Sequence, residues 1–307
     1  MKFTKMHGAG NDYVVVDARG EQRDWHVLAR AMCNRHYGVG SDGLLLVVES
    51  SVADVRMRMF NPDGSEAEMC GNGIRCFAKY VLERRIVSPS GKGLRVETAG
   101  GAKTVVPLME GGRVTSARVD MGEPRLRAGE IPVDVSGTAW PVAVAATLAR
   151  DGQTARLLAG LGLAPGEAVM GMPLTVEGRT FEVTCVSMGN PHAVAFLKEP
   201  VDKVPLERLG PLVEHHPLFP KRVNFHVVNV LGQGTLRARH WERGAGLTLA
   251  CGTGACAVAV ASYLLGHTEA TVEIEVPGGV LGVAWPGTGP VYLEGPAVEV
   301  FEGEWRG

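Results

Sequence analysis

The sequence carries almost no net charge. Its 31 lysines and arginines stand against 33 aspartates and glutamates, leaving −2, so no excess of either sign points to nucleic acid or an anionic membrane. No apolar run approaches the ~20 residues of a membrane-spanning helix. The start, Met1-Lys2-Phe3-Thr4-Lys5-Met6-His7-Gly8, lacks the apolar core of a secretory signal, and a cytoplasmic location is the expectation. The six cysteines are then expected to be mostly reduced thiols. None is arranged as C-x-x-C, which weakens a thiol-oxidoreductase reading. No lysine motif for pyridoxal phosphate, no low-complexity segment and no long linker is present.

Glycine is abundant. The 41 glycines in 307 residues are nearly twice the usual share of about 7%, which implies many tight turns. The hydrophobic fraction of 45% is that of a soluble globular protein, and the length suits two domains of ordinary size.

One stretch organises the rest: Met69-Cys70-Gly71-Asn72-Gly73-Ile74-Arg75-Cys76. Ile74, Phe77, Ala78, Val81 and Leu82 follow at helical spacing on one face, with Lys79, Glu83 and Arg84 elsewhere, which predicts an amphipathic helix. Cys70 then lies just ahead of a helix N-terminus, where unpaired N–H groups and the helix dipole favour a thiolate. Such positions lower a thiol pKa from about 8.5 to roughly 3.5–7.5.

The stretch occurs twice. Ala250-Cys251-Gly252-Thr253-Gly254-Ala255-Cys256 repeats C-G-x-G-x-x-C, and the first cysteines are 251 − 70 = 181 residues apart. Gly10-Asn11 with Val14-Val15-Val16 is answered by Gly189-Asn190 with Ala193-Val194-Ala195, at an offset of 179. Two similar halves are expected, each delivering one cysteine on one helix N-terminus. The second helix, Ala255 to Leu265, is apolar nearly all round and should be buried.

In chain order, strands are expected at Tyr13–Asp17, Leu44–Val48, Val55–Phe60, Leu94–Thr98, Thr104–Leu108 and Arg113–Asp120. Weaker ones are expected at Ile131–Val135 and Val142–Ala146. Further strands follow at Thr180–Val186, Val223–Val230, Thr235–Trp241 and from Ala270 to Phe301. Helices are expected over Trp25–His36, capped by Asp24, and over Thr154–Leu163. Met121-Gly122-Glu123-Pro124 marks a crossing between halves, so the domains read as 1–122 plus 295–307, carrying Cys70, and 123–294, carrying Cys251.

Three chemistries compete for the cysteines. A zinc site usually spaces its ligands by two to four residues, and Cys70/Cys76 and Cys251/Cys256 leave five and four, so no metal is expected. A packing role suits Cys33, Cys76, Cys185 and Cys256. Paired acid–base work suits Cys70 and Cys251: one thiolate removes a proton from carbon, and the opposing thiol delivers one from the other face. This inverts a stereocentre with no cofactor. The N–H groups after each cysteine could hold a carboxylate and stabilise the charge that develops.

Seven segments together closely resemble the diaminopimelate epimerase family. They are Lys5-Met6-His7-Gly8-Ala9-Gly10-Asn11-Asp12, Phe60-Asn61-Pro62-Asp63-Gly64-Ser65, the two Cys-Gly loops, Met188-Gly189-Asn190-Pro191-His192, Arg222-Val223-Asn224 and Glu242-Arg243-Gly244-Ala245-Gly246. The resemblance implies an α/β (α+β) fold of two pseudo-symmetric domains, each a β-barrel-like mixed sheet around a central helix. It implies a cofactor-free isomerase that interconverts LL- and meso-diaminopimelate, in lysine and peptidoglycan synthesis, commonly as a homodimer. It makes Cys70 and Cys251 the catalytic acid–base pair. It makes Asn11, Asn61, Gly71, Asn72, Asn190, Asn224, Glu242, Arg243, Gly252 and Thr253 substrate-binding, and His192 and Glu242 tuners of the thiols. One position departs from some members: Gly43 stands where they carry Gln, so a side-chain contact is missing. A related amino-acid racemase, or a non-catalytic binding protein on the same scaffold, stays open as an alternative.

Overall fold

The computed structural model describes residues 1–89, 91, 93–136, 140, 152–164 and 166–307. The chain forms two compact units, Met1–Asp120 with Glu294–Gly307, and Met121–Leu293.

The first unit opens on β1 (Lys2–Gly8) and β2 (Asn11–Asp17), an antiparallel hairpin. Its turn residues Ala9 and Gly10 have φ of +54° and +87°, the two-residue turn whose twist matches paired strands. Helix α1 (Trp25–Cys33) carries the chain across to β3 (Gly43–Val48), which runs parallel to β2; parallel neighbours require such a crossover. The Asp24 side chain caps α1 by accepting from the Val27 N–H at 3.0 Å. The helix ends at Cys33, three residues early, because Asn34 turns extended and its side chain accepts from the N–H groups of His36 and Tyr37. Strands β4 (Val55–Phe60) and β5 (Glu66–Ala67) continue the sheet antiparallel. Then come α2 (Gly71–Glu83), β6 (Leu94–Thr98) parallel to β4, β7 (Gly101–Glu110) and β8 (Arg113–Asp120).

The second unit contains α3 (Gly152–Gly160), β9 (Met172–Val176), the hairpin β10 (Arg179–Ser187) with β11 (Pro191–Phe196), and α4 (Leu206–Glu214). Strand β12 (Asn224–Gly232) runs parallel to β11, followed by β13 (Thr235–Glu242), β14 (Gly246–Thr248), α5 (Gly252–Leu264), β15 (Thr271–Val276) parallel to β13, and β16 (Gly279–Ala284). β17 (Tyr292–Pro296) leads back to β18 (Val298–Glu304), which pairs with β1. The order hairpin, helix, parallel strand, antiparallel strand, short strand, buried helix, parallel strand is the same in both units. The registers agree as well: Tyr13 opposes Gly43 where His192 opposes Asn224, and Leu45 opposes Met59 where His226 opposes His240.

Several expectations are corrected. Helix α2 has the expected apolar face, but its polar face is buried as well: Gly71 through Val81 are all covered. Its two cations go under with partners. Lys79 donates to Glu83 Oε1 at 2.7 Å and to the Val114 carbonyl at 2.6 Å, and Arg75 donates to the Gly71 carbonyl and Asn72 Oδ1, each at 2.9 Å. Lone buried charges would be costly, and these donor bonds offset the loss of water. Ile131–Val135 forms turns instead of a strand, because the Ile131 and Val133 N–H groups bond locally to Arg127 and Ala128 and Pro132 has no N–H to give a ladder. Strands β1, β5, β9, β11 and β14 and helix α4 were not expected. Val142–Ala146 lies outside the described residues. Helix α5 meets its expectation: Ala257, Val258, Val260 and Leu264 are at most 0% exposed, each larger side chain contributing about 1.5–3 kcal/mol by leaving water.

Candidate active site

Cys70 and Cys251 are the N-cap residues of α2 and α5, both with extended backbone (φ −140°, ψ 119° and φ −125°, ψ 110°). Each carbonyl starts its helix, accepting from Ile74 and Ala255 at 2.9 and 2.8 Å. The two thiols nonetheless sit in different surroundings.

Cys70 is half-buried, and its Sγ lies 3.0 Å from the Tyr13 hydroxyl. Tyr13 is wholly buried on β2. Burial first, then the neighbouring Cys70, pushes its phenol well above its usual range, so it keeps its proton and can donate it to the sulfur. Beside the ring, Gly43 is held close against the Phe60 carbonyl and Met59. A Cβ there would stand 3.0 Å from the Phe60 carbonyl, 3.2 Å from Met59 Cε and 3.6 Å from the Tyr13 ring. Sequence reasoning missed Tyr13 because nothing local ties it to a cysteine 57 residues away. Replacing the phenol by Tyr13→Phe removes the hydroxyl 3.0 Å from the Cys70 sulfur, and alkylation of Cys70 by iodoacetamide at neutral pH should slow about tenfold. Peptide mass mapping of the labelled cysteine reads this, and an unchanged rate would remove Tyr13 from the site.

Cys251 is 3% exposed. Its Sγ accepts from the Gly254 N–H at 3.3 Å and lies 3.7 Å from Thr253 Oγ1. Burial, then the charge and hydrogen bond of Glu242, push this thiol well above its usual range, and the Gly254 and Thr253 contacts do not reverse it. The thiolate expected at a helix N-terminus is therefore not the resting form here: desolvation outweighs the dipole. Glu242 is itself held by Thr248, whose hydroxyl donates at 2.6 Å. Only glycine fits at 254, since a Cβ would lie 2.5 Å from His226 Cε1 and 3.0 Å from the Cys251 sulfur.

The remaining expected residues fall into clusters within each unit. Asn72 Nδ2 donates to Asn11 Oδ1 at 3.0 Å, and Asn72 Oδ1 accepts from Arg75. Asn11 lies just beyond the hairpin turn, beside Asp12. Burial would raise the Asp12 carboxyl, and hydrogen bonds from Arg35 and Lys5 overcome it and hold it at about 2. Asn61 is engaged in its own turn, donating to Ser65 Oγ at 2.9 Å. Gly71 and Gly252 are buried in the first turns of the two helices.

In the second unit, Asn224 Nδ2 donates to the Pro191 carbonyl at 2.8 Å and its Oδ1 accepts from the Arg243 N–H at 2.9 Å, tying the Asn190 and Arg243 loops together. The Arg243 guanidinium is exposed and donates to the Lys221 carbonyl at 3.0 Å. Buried Glu214 on α4, a residue with no local signal, accepts from Trp241 Nε1 at 2.8 Å and the Gly244 N–H at 3.0 Å and so anchors that loop. His192 is fully buried, with Nε2 2.8 Å from Asn190 Oδ1 and Nδ1 2.9 Å from His226 Nε2. Burial, then His240 and Arg243, depress it to about 3. It is uncharged at neutral pH, so charge tuning of Cys251 falls to Glu242.

The fold is shared with solved structures of a racemase and an epimerase. A probable proline racemase of Agrobacterium radiobacter K84 superimposes with a TM-score of 0.65 at 14% identity, covering 99% of this chain and 91% of that one. A hydroxyproline epimerase of Agrobacterium vitis, solved with bound trans-4-hydroxy-L-proline, gives 0.65 at 15%, over 99% and 91%. The chain belongs to the diaminopimelate epimerase family, whose sequence model matches residues 3–127 and 184–300. It is 47% identical to the diaminopimelate epimerase of Moorella thermoacetica over 99% of both chains. It is 48% identical to that of Desulfovibrio desulfuricans, over 99% of this chain and 98% of the relative. The enzyme of Methanococcus maripaludis is 43% identical over 99% of both.

Proposed function

We propose that this protein interconverts LL- and meso-2,6-diaminopimelate without a cofactor, as a step towards lysine and peptidoglycan. The observation that carries the reading is identity of 43–48% over essentially the whole chain to curated diaminopimelate epimerases. The paired Cys-capped helices fit it. Cys70, beside the Tyr13 phenol, takes the α-proton as a thiolate, and the electron pair stays on the carbon and its carboxylate. The Cys251 thiol delivers its proton to the opposite face and becomes the thiolate. The reverse direction exchanges the roles, so each turnover leaves the pair ready for the other isomer.

The N–H groups at Gly71-Asn72 and Gly252-Thr253 receive the α-carboxylate, where they also stabilise the charge that develops. Asn11, Asn61, Asn190, Asn224 and Glu242 add donors and acceptors for the distal ammonium and carboxylate, and the planar fork of Arg243 takes that carboxylate. On the same reading the enzyme works in the cytoplasm as a homodimer, which sedimentation equilibrium checks.

In deuterated water, LL-diaminopimelate should yield meso product carrying one α-deuterium. Proton NMR and mass spectrometry read both. Failure of the wild-type protein to exchange or invert that centre would falsify the assignment.

A further inference from the structure

Three buried imidazoles form a line behind Asn190. His192 Nδ1 lies 2.9 Å from His226 Nε2, and His226 Nδ1 lies 2.7 Å from His240 Nδ1. All three rings are 0% exposed. At the near end His192 Nε2 meets Asn190 Oδ1 at 2.8 Å. At the far end His240 Nε2 is buried with no hydrogen-bond partner among the described residues.

A neutral imidazole has one N–H and one bare nitrogen, so such a line has only two settings. In one, His240 Nδ1–H donates to His226, His226 Nε2–H donates to His192, and His192 Nε2–H donates to Asn190 Oδ1. The far end is then a bare lone pair on His240. In the other, every bond is reversed, Asn190 turns its NH2 inward, and the far end is a buried N–H with nothing to receive it. An unmet buried N–H is the costlier end, and Asn190 presents its oxygen to His192. Both point to the first setting. Burial keeps the line uncharged, with His192 at about 3 and His240 at about 4.

The first unit shows what the line is for. Asn11 occupies the place of Asn190 and also has its Oδ1 tied back, by Asn72 Nδ2 at 3.0 Å, with Asn72 Oδ1 held by Arg75 at 2.9 Å. A guanidinium only donates, so Arg75 sets that amide's direction outright. The repeat puts Thr253 and Cys256 at the places of Asn72 and Arg75, and neither can do this. It also puts His192, His226 and His240 where the first unit has Tyr13, Leu45 and Met59. The scaffold therefore packs without imidazoles at the two inner positions.

We infer that His226 and His240 are positioning residues: acting through His192, they lock the Asn190 amide with its oxygen inward and its NH2 outward, as a donor for a substrate carboxylate. The inference rests on the proposed diaminopimelate reading only for what Asn190 meets.

The test has two readouts. Long-range 1H–15N spectra of 15N-histidine-labelled wild-type protein at neutral pH should show His192 and His226 as neutral Nε2–H tautomers and His240 as the Nδ1–H tautomer. A cationic ring, or His192 as the Nδ1–H tautomer, overturns the lock whether or not the protein is an epimerase. In the kinetic arm, His226→Leu, the first unit's own residue, leaves His192 free to reverse. KM for diaminopimelate should then rise about tenfold with kcat changed less than about threefold. His226→Gln can accept from His240 and donate to His192, so it should restore KM to within about threefold of wild type. Equal KM values for Leu and Gln variants, or a loss confined to kcat, overturn the positioning role. Wild-type protein with the stated tautomers but no turnover of diaminopimelate counts against the substrate assignment instead.

Discussion

Cys251→Ala protein should lose interconversion of LL- and meso-diaminopimelate by about a thousandfold or more, in the upper range for removing one acid–base group. Without the thiol there is no proton for the second face of the carbon. Cys70 remains beside the Tyr13 phenol, 3.0 Å away, and still removes the α-proton from the isomer that presents it. That isomer should therefore exchange its α-proton with deuterated water and regain it on the same face, while the other isomer stays protonated. Cys70→Ala should show the mirror pattern of isomer preference. The double variant should be hardly worse than either single one, since groups that act as a unit are not additive. Optical rotation reads inversion and NMR reads exchange. Inversion above about a tenth of the wild-type rate in either single variant would break the pairing of two thiols.

The second large effect is on stability in acid. His192 and His240 are held at about 3 and about 4, and His226 is depressed in the same direction, with burial the leading cause for all three. An unfolded histidine titrates near 6.5. Between these values the unfolded chain binds protons that the folded chain refuses, so the neutral rings contribute fully above pH 6.5 and less as pH falls. The slope is up to about 1.4 kcal/mol per pH unit for each histidine. For His192 and His240 together that is about 5 kcal/mol between pH 6.5 and 4.5, comparable with the whole stability of many domains. Denaturant melts at pH 7.5, 6.0 and 5.0 should show this loss. Replacing His226 and His240 by Leu and Met should flatten the profile. Unfolding free energies that stay level from pH 7.5 to 5.0 would contradict the buried neutral line.

Diaminopimelate epimerases and more distant racemases share this scaffold, and the repeat explains how one cysteine arrives twice. The asymmetry between halves is as informative as the likeness. One thiol has a phenol beside it and partial access to solvent; the other is buried against a carboxylate. A duplicated backbone supplies the same position twice, and the side chains around it then differentiate the two protons.

The amino-acid sequence by itself determined the two Cys-capped helices, the repeat and most of the strands. These depend on short-range physics: glycine in a tight turn, a free helix end, alternation over a few residues. It did not show that the polar face of α2 is buried too, because a single periodic stretch does not reveal that Lys79 and Arg75 find carbonyl and side-chain partners inside. Only the tertiary structure decided the protonation of Cys251, the meeting of Tyr13 with Cys70, the place of Glu214 under the Arg243 loop and the direction of the imidazole line. The first depends on burial against Glu242, and the others on groups 14 to 57 residues apart being packed out of water. There, desolvation and one partner atom outweigh every local preference.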